Sequence, residues 1–105
     1  ANLQVTDSNF TSAVVGEATG YAHLSAFNPM RFYSDATIHA NGEIWFSTQA
    51  AAGTINVDRN LSLSTERYAA NGQTMNTASV DVFNVNGGGR ITVNGATNLN
   101  STAHA

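Results

Sequence analysis

The 105-residue chain is short enough to form one domain, carries a net charge of −3 and has charged side chains at only 10% of its positions. Lysine is absent and the four arginines are scattered, which excludes the clustered positive charge that nucleic-acid binding requires. No run of 18 apolar residues predicts a membrane span, and the absence of cysteine excludes disulfides and thiolate metal sites.

The polar residues are unusual in kind. Asn, Thr and Ser together occupy 34 positions, whereas Leu, Ile, Val and Phe together occupy only 22. This composition predicts a folded domain with a thin core. A neutral surface of amides and hydroxyls favours close packing of many copies, or contact with carbohydrate.

Four short strands are predicted in the first third of the chain. The apolar and polar residues alternate over 3–6, 12–15, 21–26 and 31–34. The Asn28-Pro29 dipeptide separates the last two strands. Because alternate residues of a strand share a face, Tyr21 and His23 are predicted to lie side by side.

Residues 37–47 predict a two-residue β-hairpin. Asn41-Gly42 supplies the positive φ angles of a tight turn between two strand-like segments. In this hairpin Ile38 lies opposite Trp45. Both faces carry apolar side chains, so the hairpin is either buried between two layers or has one face against another chain.

The second half of the chain predicts further strands and turns. Alternating segments at 54–57 and 61–65 are joined by a turn at 58–60. A second hairpin joins 80–85 to 90–93 and pairs Val85 with Arg90. Asn-Gly pairs predict turns at 71–72 and 94–95, and short helical turns are expected within 49–52 and 65–70.

The predicted fold class is therefore all-β. We expect a small antiparallel β-sandwich or barrel-like domain built from hairpins, with at most one or two short helical turns. Residues 1–105 form a single β domain, and residues 94–105 form its polar C-terminal arm.

No pattern of catalytic, cofactor-binding or metal-ligating residues is present. His23, His39 and His104 lack the paired spacing of a zinc site. The seven carboxylates are spread singly, so nothing in their spacing selects a pair for glycoside hydrolysis. The sequence has neither the nucleophile elbow of a serine hydrolase nor a lysine-containing phosphate loop. We therefore expect no enzymatic activity and no cofactor.

Five residues are the predicted interface or ligand contacts: Tyr33, Ile44, Trp45, Phe46 and Tyr68. Ile44, Trp45 and Phe46 come from the two-faced hairpin. Tyr33, Trp45 and Tyr68 are also the rings that we expect to stack on a sugar, since sugar-binding faces combine aromatic platforms with polar neighbours.

These features favour a non-enzymatic structural subunit of a self-assembling particle. A virion protein, either a phage capsid decoration or coat protein, is the leading interpretation. The alternatives are an extracellular filament or pilin-like subunit, and a secreted carbohydrate-binding β module. The expected partners are further copies of the chain or other structural proteins, with a glycan as the alternative ligand, and the expected location is a virion or the extracellular space.

Overall fold

Eleven β-strands make up the part of the chain that the structure describes. The structure is a computed structural model that describes residues 1–68, 80–85 and 89–104, without the side chains of 67–68, 80–85 and 102–104. The strands are β1 Leu3–Thr6, β2 Val14–Ala18, β3 Ala22–Ala26, β4 Pro29–Phe32, β5 Ala36–Ala40, β6 Ile44–Thr48, β7 Thr54–Val57, β8 Leu61–Tyr68, β9 Val80–Val85, β10 Arg90–Val93 and β11 Thr97–His104.

The strands form three sheets in which every pairing is parallel. Sheet A has the order β1-β3-β6-β9, sheet B the order β4-β7-β10, and sheet C the order β2-β5-β8-β11. Phe10 adds an isolated parallel bridge to Phe32 at the free side of β4. Each sheet therefore receives one strand, or one bridging residue, from every turn of the chain.

The chain winds through the three sheets four times. Leu3, Ala22, Ile44 and Val80 occupy the same place in successive coils, so the repeat lengthens from 19 to 22 to 36 residues. Parallel strands require a crossover of a dozen or more residues, which is usually a helix. Here the segments of the other two sheets form that crossover, with the Phe10 bridge in place of a strand in the first coil. The fold is a parallel β-helix of four coils, here numbered from the N-terminus.

The all-β prediction is confirmed, but the antiparallel sandwich or barrel is wrong. The 37–47 hairpin does not form, because β5 belongs to sheet C and β6 to sheet A. Ile38 pairs with residues of β2 and β8, and Trp45 pairs with His23 and Asp81. Asn41-Gly42 is a corner, and its two N–H groups donate to Ala18 and Gly20 carbonyls of the preceding coil. A corner turn and a hairpin turn use the same residue types, because both require a tight change of direction.

The structure also tests the predictions of a second hairpin and of short helical turns. The 80–93 hairpin is wrong, since Val85 pairs with Thr48 and Arg90 with Thr54 in different sheets. Residues 65–68 continue strand β8 instead of starting a helix. In place of a helical segment at 49–52, residues 50–53 form a single turn closed by a 2.9 Å hydrogen bond from Gly53 N to Ala50 O. The predicted turns at 71–72 and 86–88 lie outside the described residues, and so do residues 69–70.

The core is built from rows of inward side chains that stack from coil to coil. Burial alternates along the strands, as in Pro29–Phe32, where Met30 and Phe32 are buried and their neighbours are exposed. The Phe32 ring stacks on Phe10 with centroids 4.9 Å apart and contacts Phe46 at 6.0 Å. The rings of three coils therefore form one continuous apolar column.

Asn and Asp side chains join the coils at the corners. Asn2 accepts the backbone N–H of Tyr21 at a corner, and Asn9 accepts that of Arg31 in β4, each one coil further on. A later corner repeats the arrangement: Asp35 accepts the Asn60 N–H at 3.0 Å, and Asn60 accepts the Ala96 N–H at 2.9 Å. Part of the amide content that the sequence suggests for an outer surface therefore binds corner backbone that sheet hydrogen bonds do not reach.

The polar segment 94–105 contributes a full strand. Within it, β11 pairs with β8 from Thr97↔Leu61 to His104↔Tyr68. The backbone of residues 97–104 is thereby part of sheet C.

We expect Phe32→Ala to lower the free energy of unfolding by about 3–5 kcal/mol, because it opens a cavity between two other rings. Denaturant unfolding followed by circular dichroism measures the change. Phe27→Ala is the matched control, since Phe27 is 48% exposed and its loss is expected to cost less than about 0.5 kcal/mol. Equal losses in the two variants would contradict the assignment of the column.

The stability of the corner at Asp7 is expected to be sensitive to acid. It has a left-handed φ of 49°, and its carboxylate accepts the backbone N–H groups of Asn28 and Phe27 at 3.0 and 2.7 Å. The hydrogen bond from the Asn28 backbone is the largest cause that holds the pKa of Asp7 below its usual value. A lowered folded-state pKa means that the stabilisation is present above the unfolded pKa, about 3.9, and is lost as the pH falls through the folded value.

Asp7→Asn keeps a residue that tolerates left-handed φ and an amide oxygen, but removes the charge. We expect this variant to melt at a lower temperature than the parent at about pH 6, and the difference to shrink as the pH falls below about 4. Thermal unfolding at several pH values measures it. A difference that is independent of pH would show that the charge plays no part.

Candidate functional site

The five predicted contact residues lie in different surroundings. Ile44 and Phe46 are fully buried in the core, facing inward from β6. Trp45 lies between them in sequence and faces outward, with 39% of its surface exposed. Tyr33, which follows β4, is 44% exposed. Tyr68 ends β8, and its side chain lies outside the described part of the structure. The structure therefore leaves Trp45 and Tyr33 as exposed rings, one on sheet A and one beside sheet B.

Trp45 belongs to a ladder of three stacked rings on the outer side of sheet A. The His23 ring lies 4.1 Å from the Trp45 ring with an interplanar angle of 10°, and 4.0 Å from the Tyr21 ring with an angle of 25°. Strands β3 and β6 set this arrangement by pairing His23 with Trp45. Tyr21 and His23 share a face, as the alternation predicts.

Polar contacts hold the aromatic ladder, defined as Tyr21, His23 and Trp45, in place. Gln4 Nε2 donates to the Tyr21 hydroxyl at 2.7 Å. Nε2 of His23 lies 3.2 Å from a carboxylate oxygen of Glu43, and these side chains are 20% and 37% exposed. The ladder and its two polar neighbours thus present ring edges, the Glu43 carboxylate and the Gln4 amide to solvent.

Tyr33 lies beside a separate charged pair. The Arg31 guanidinium is 4.5 Å from the centre of the Tyr33 ring and binds Asp58 through Nε and Nη2, at 3.1 and 2.8 Å. The hydrogen bonds and the charge of Asp58 raise the pKa of Arg31 above its usual value. One face of Tyr33 is therefore covered by a cation that is itself neutralised.

Five of the described carboxylates form contacts between neighbouring coils. Each of five binds a residue one coil away: Asp7 with Asn28, Glu17 with His39, Asp35 with Asn60, Glu43 with His23, and Asp58 with Arg31. Among the described residues there is no group of three or more His, Asp or Glu side chains that fits a metal ion. These charges are placed to join neighbouring coils.

A shallow depression of about 160 Å³ lies at the C-terminal ends of β2 and β5, beside the N-terminal residue Ala1. Its lining includes the Glu17–His39 pair, with Oε2 and Nδ1 3.1 Å apart, and Thr19 and Asn41. Ligand pockets usually enclose about 300–1,000 Å³. The depression is too small and too open to hold a drug-sized ligand.

Across the described ranges, no helix is long and apolar enough to cross a membrane.

The chain matches no protein-family model, no curated protein and no solved structure at a significant level. Its function is therefore inferred from its own geometry.

Sequence reasoning missed the ladder as a unit. Tyr21 and His23 were recognisable as neighbours, but their contact with Trp45 depends on the 22-residue step between coils 2 and 3. Gln4 and Glu43 carry no signal of their own in the sequence. Knowledge of the parallel register would have been needed to bring the five side chains together.

We expect His23→Ala to lower the free energy of unfolding by about 1–3 kcal/mol, because it removes two ring stacks of about 0.5–1.5 kcal/mol each. Denaturant unfolding measures this loss. His39→Ala is a matched control: His39 also contacts a carboxylate, at 3.1 Å, but stacks on no ring in the described part of the chain. A loss as large in His39→Ala would contradict the contribution of stacking.

Proposed function

We propose that this chain is a non-enzymatic structural subunit that assembles end to end with further copies of itself. The setting that we favour is a virion, and an extracellular filament is the alternative. The observation that carries the proposal is the incomplete burial and incomplete strand pairing of the two end coils. Among the described residues, each of these coils leaves inward apolar side chains partly open, and each has strands with a sheet neighbour on one side only.

The N-terminal coil has an apolar, unguarded end. Leu3, Val5, Phe10 and Val14 pack against the core but are only partly buried. A Cβ atom at Gly16 would lie 2.8 Å from both Leu3 Cδ2 and Ile38 Cδ1, so glycine leaves the space that these side chains fill. Edge strands of monomeric proteins are commonly protected by lysine, proline or inward charges. No charged side chain lies among these inward positions, and the chain has no lysine.

The C-terminal coil offers a matching end. Ile91 and Val93 are partly buried against the core, and Leu99 is 47% exposed. Leu99 pairs with Leu63, which places it in an inward row with residues of the earlier coils. When two copies stack head to tail, β9–β11 of one copy run parallel to β1 and β2 of the next, as neighbouring coils do within the chain. Such a contact does not close on itself, so it builds a fibre or a stack.

The charge distribution supports a structural role. Five of the described carboxylates each bind a residue of an adjacent coil, so these charges hold the stack together. A net charge of −3 produces little repulsion between copies. These properties suit a building block better than a catalyst.

We expect the protein to form species whose size increases with concentration, and Leu99→Asp to prevent this, because it buries a charge in the end contact. Sedimentation velocity and electron microscopy measure assembly. Thr37→Asp is the matched control, since Thr37 is exposed on β5, an interior strand of sheet C that lies outside the end contact, and its replacement should leave assembly unchanged.

A second variant tests the opposite end without entering the core. Leu3 and Asp7 donate their N–H groups to coil 2, so the intervening Thr6 N–H points to the free edge of β1. Thr6→Pro removes that edge donor and should reduce assembly while circular dichroism remains unchanged. A parent protein that stays monomeric at all concentrations, or assembles normally with both end variants, would contradict the proposal.

A further inference from the structure

The corner between sheets B and C contains one residue from each coil. Because the strands of sheet C are in register, the residues that precede them form a row along this corner. This row, which we call the B–C corner row, consists of Ala13, Asp35, Asn60 and Ala96. The side chains of its two inner members can accept a hydrogen bond, whereas the methyl groups of its two end members cannot.

Each acceptor of the B–C corner row binds the backbone of the following coil. Asp35 Oδ1 accepts the Asn60 N–H at 3.0 Å, and Asn60 Oδ1 accepts the Ala96 N–H at 2.9 Å. Another corner acts in the same direction, since Asn2 of coil 1 accepts the Tyr21 N–H. A side-chain acceptor in one coil therefore holds the coil that follows it.

The B–C corner row is open at both ends. The Val14 N–H donates to the Asp35 carbonyl of coil 2, so the N–H before it, that of Ala13, points away from coil 2 to the free edge. At the other end, Ala96 is exposed and its side chain offers no acceptor. When coil 4 of one copy stacks on coil 1 of the next, the Ala13 N–H faces Ala96 and gains no side-chain partner.

We propose that the B–C corner row makes the contact between copies weaker than the contact between coils, and thereby keeps end-to-end assembly reversible. This inference rests on the proposed function, because it concerns the same end contact. Within the chain, each step from an inner coil to the next adds one side-chain hydrogen bond at this corner. One such bond changes an equilibrium constant about fivefold, so a stack should separate between copies before it separates between coils.

Ala96→Asn tests the row because it supplies the missing acceptor. We expect the concentration at which half of the protein is assembled to fall about fivefold, as measured by sedimentation velocity over a dilution series. Ala51→Asn is the matched control. It makes the same replacement at an exposed alanine of coil 3, outside the end contact, and should leave this concentration unchanged.

A double-mutant cycle tests the donor. Ala13→Pro removes the N–H that faces the end of the stack. Alone, it should change the half-assembly concentration by less than about twofold, because Ala96 offers no acceptor to lose. Combined with Ala96→Asn, it should cancel the fivefold gain. Circular dichroism confirms that each variant is folded.

The outcomes distinguish this inference from the proposed function. A parent protein that assembles, with an unchanged half-assembly concentration in folded Ala96→Asn, would overturn the role of the corner row and leave the structural role in place. A gain in Ala96→Asn that persists in the folded double variant would also overturn it. A parent protein that stays monomeric at all concentrations would overturn both.

Discussion

The parallel register between coils is the constraint on which the rest of this structure depends. Each strand takes its hydrogen bonds from the same sheet position one coil earlier and one coil later. Once Leu3, Ala22 and Ile44 are aligned in this way, every inward side chain lies over another inward side chain. A shift of one residue would turn the apolar row outward in the whole sheet, so burial and register enforce each other.

Side-chain chemistry reinforces the same direction. The aromatic ladder, the His–Glu and Arg–Asp pairs and the Asn and Asp corner bonds all join neighbouring coils. Stability in such a stack depends on contacts between adjacent repeats, as in other solenoids. Many surface side chains therefore bind neighbouring coils of the same chain, although the high content of Asn, Ser and Thr suggests a surface available to other molecules.

This organisation also explains where assembly would take place. Assembly would use the ends of the stack, where another copy can repeat the contact that neighbouring coils make within the chain. It requires neither the shallow depression at Glu17 and His39 nor the neutralised Arg31–Asp58 pair.

The sequence by itself determined the all-β character, most strand positions and the side-by-side placement of Tyr21 and His23. These properties follow from alternation with a period of two, which is local and is the same for parallel and antiparallel strands. The sequence also identified Asn41-Gly42 as a point where the chain changes direction. Only the tertiary structure decided that this turn is a corner between sheets, that Ile44 and Phe46 face inward, and that Trp45 meets His23. Partner strands here are a whole coil apart, and the coil length varies from 19 to 36 residues, so no fixed spacing in the sequence records the pairing.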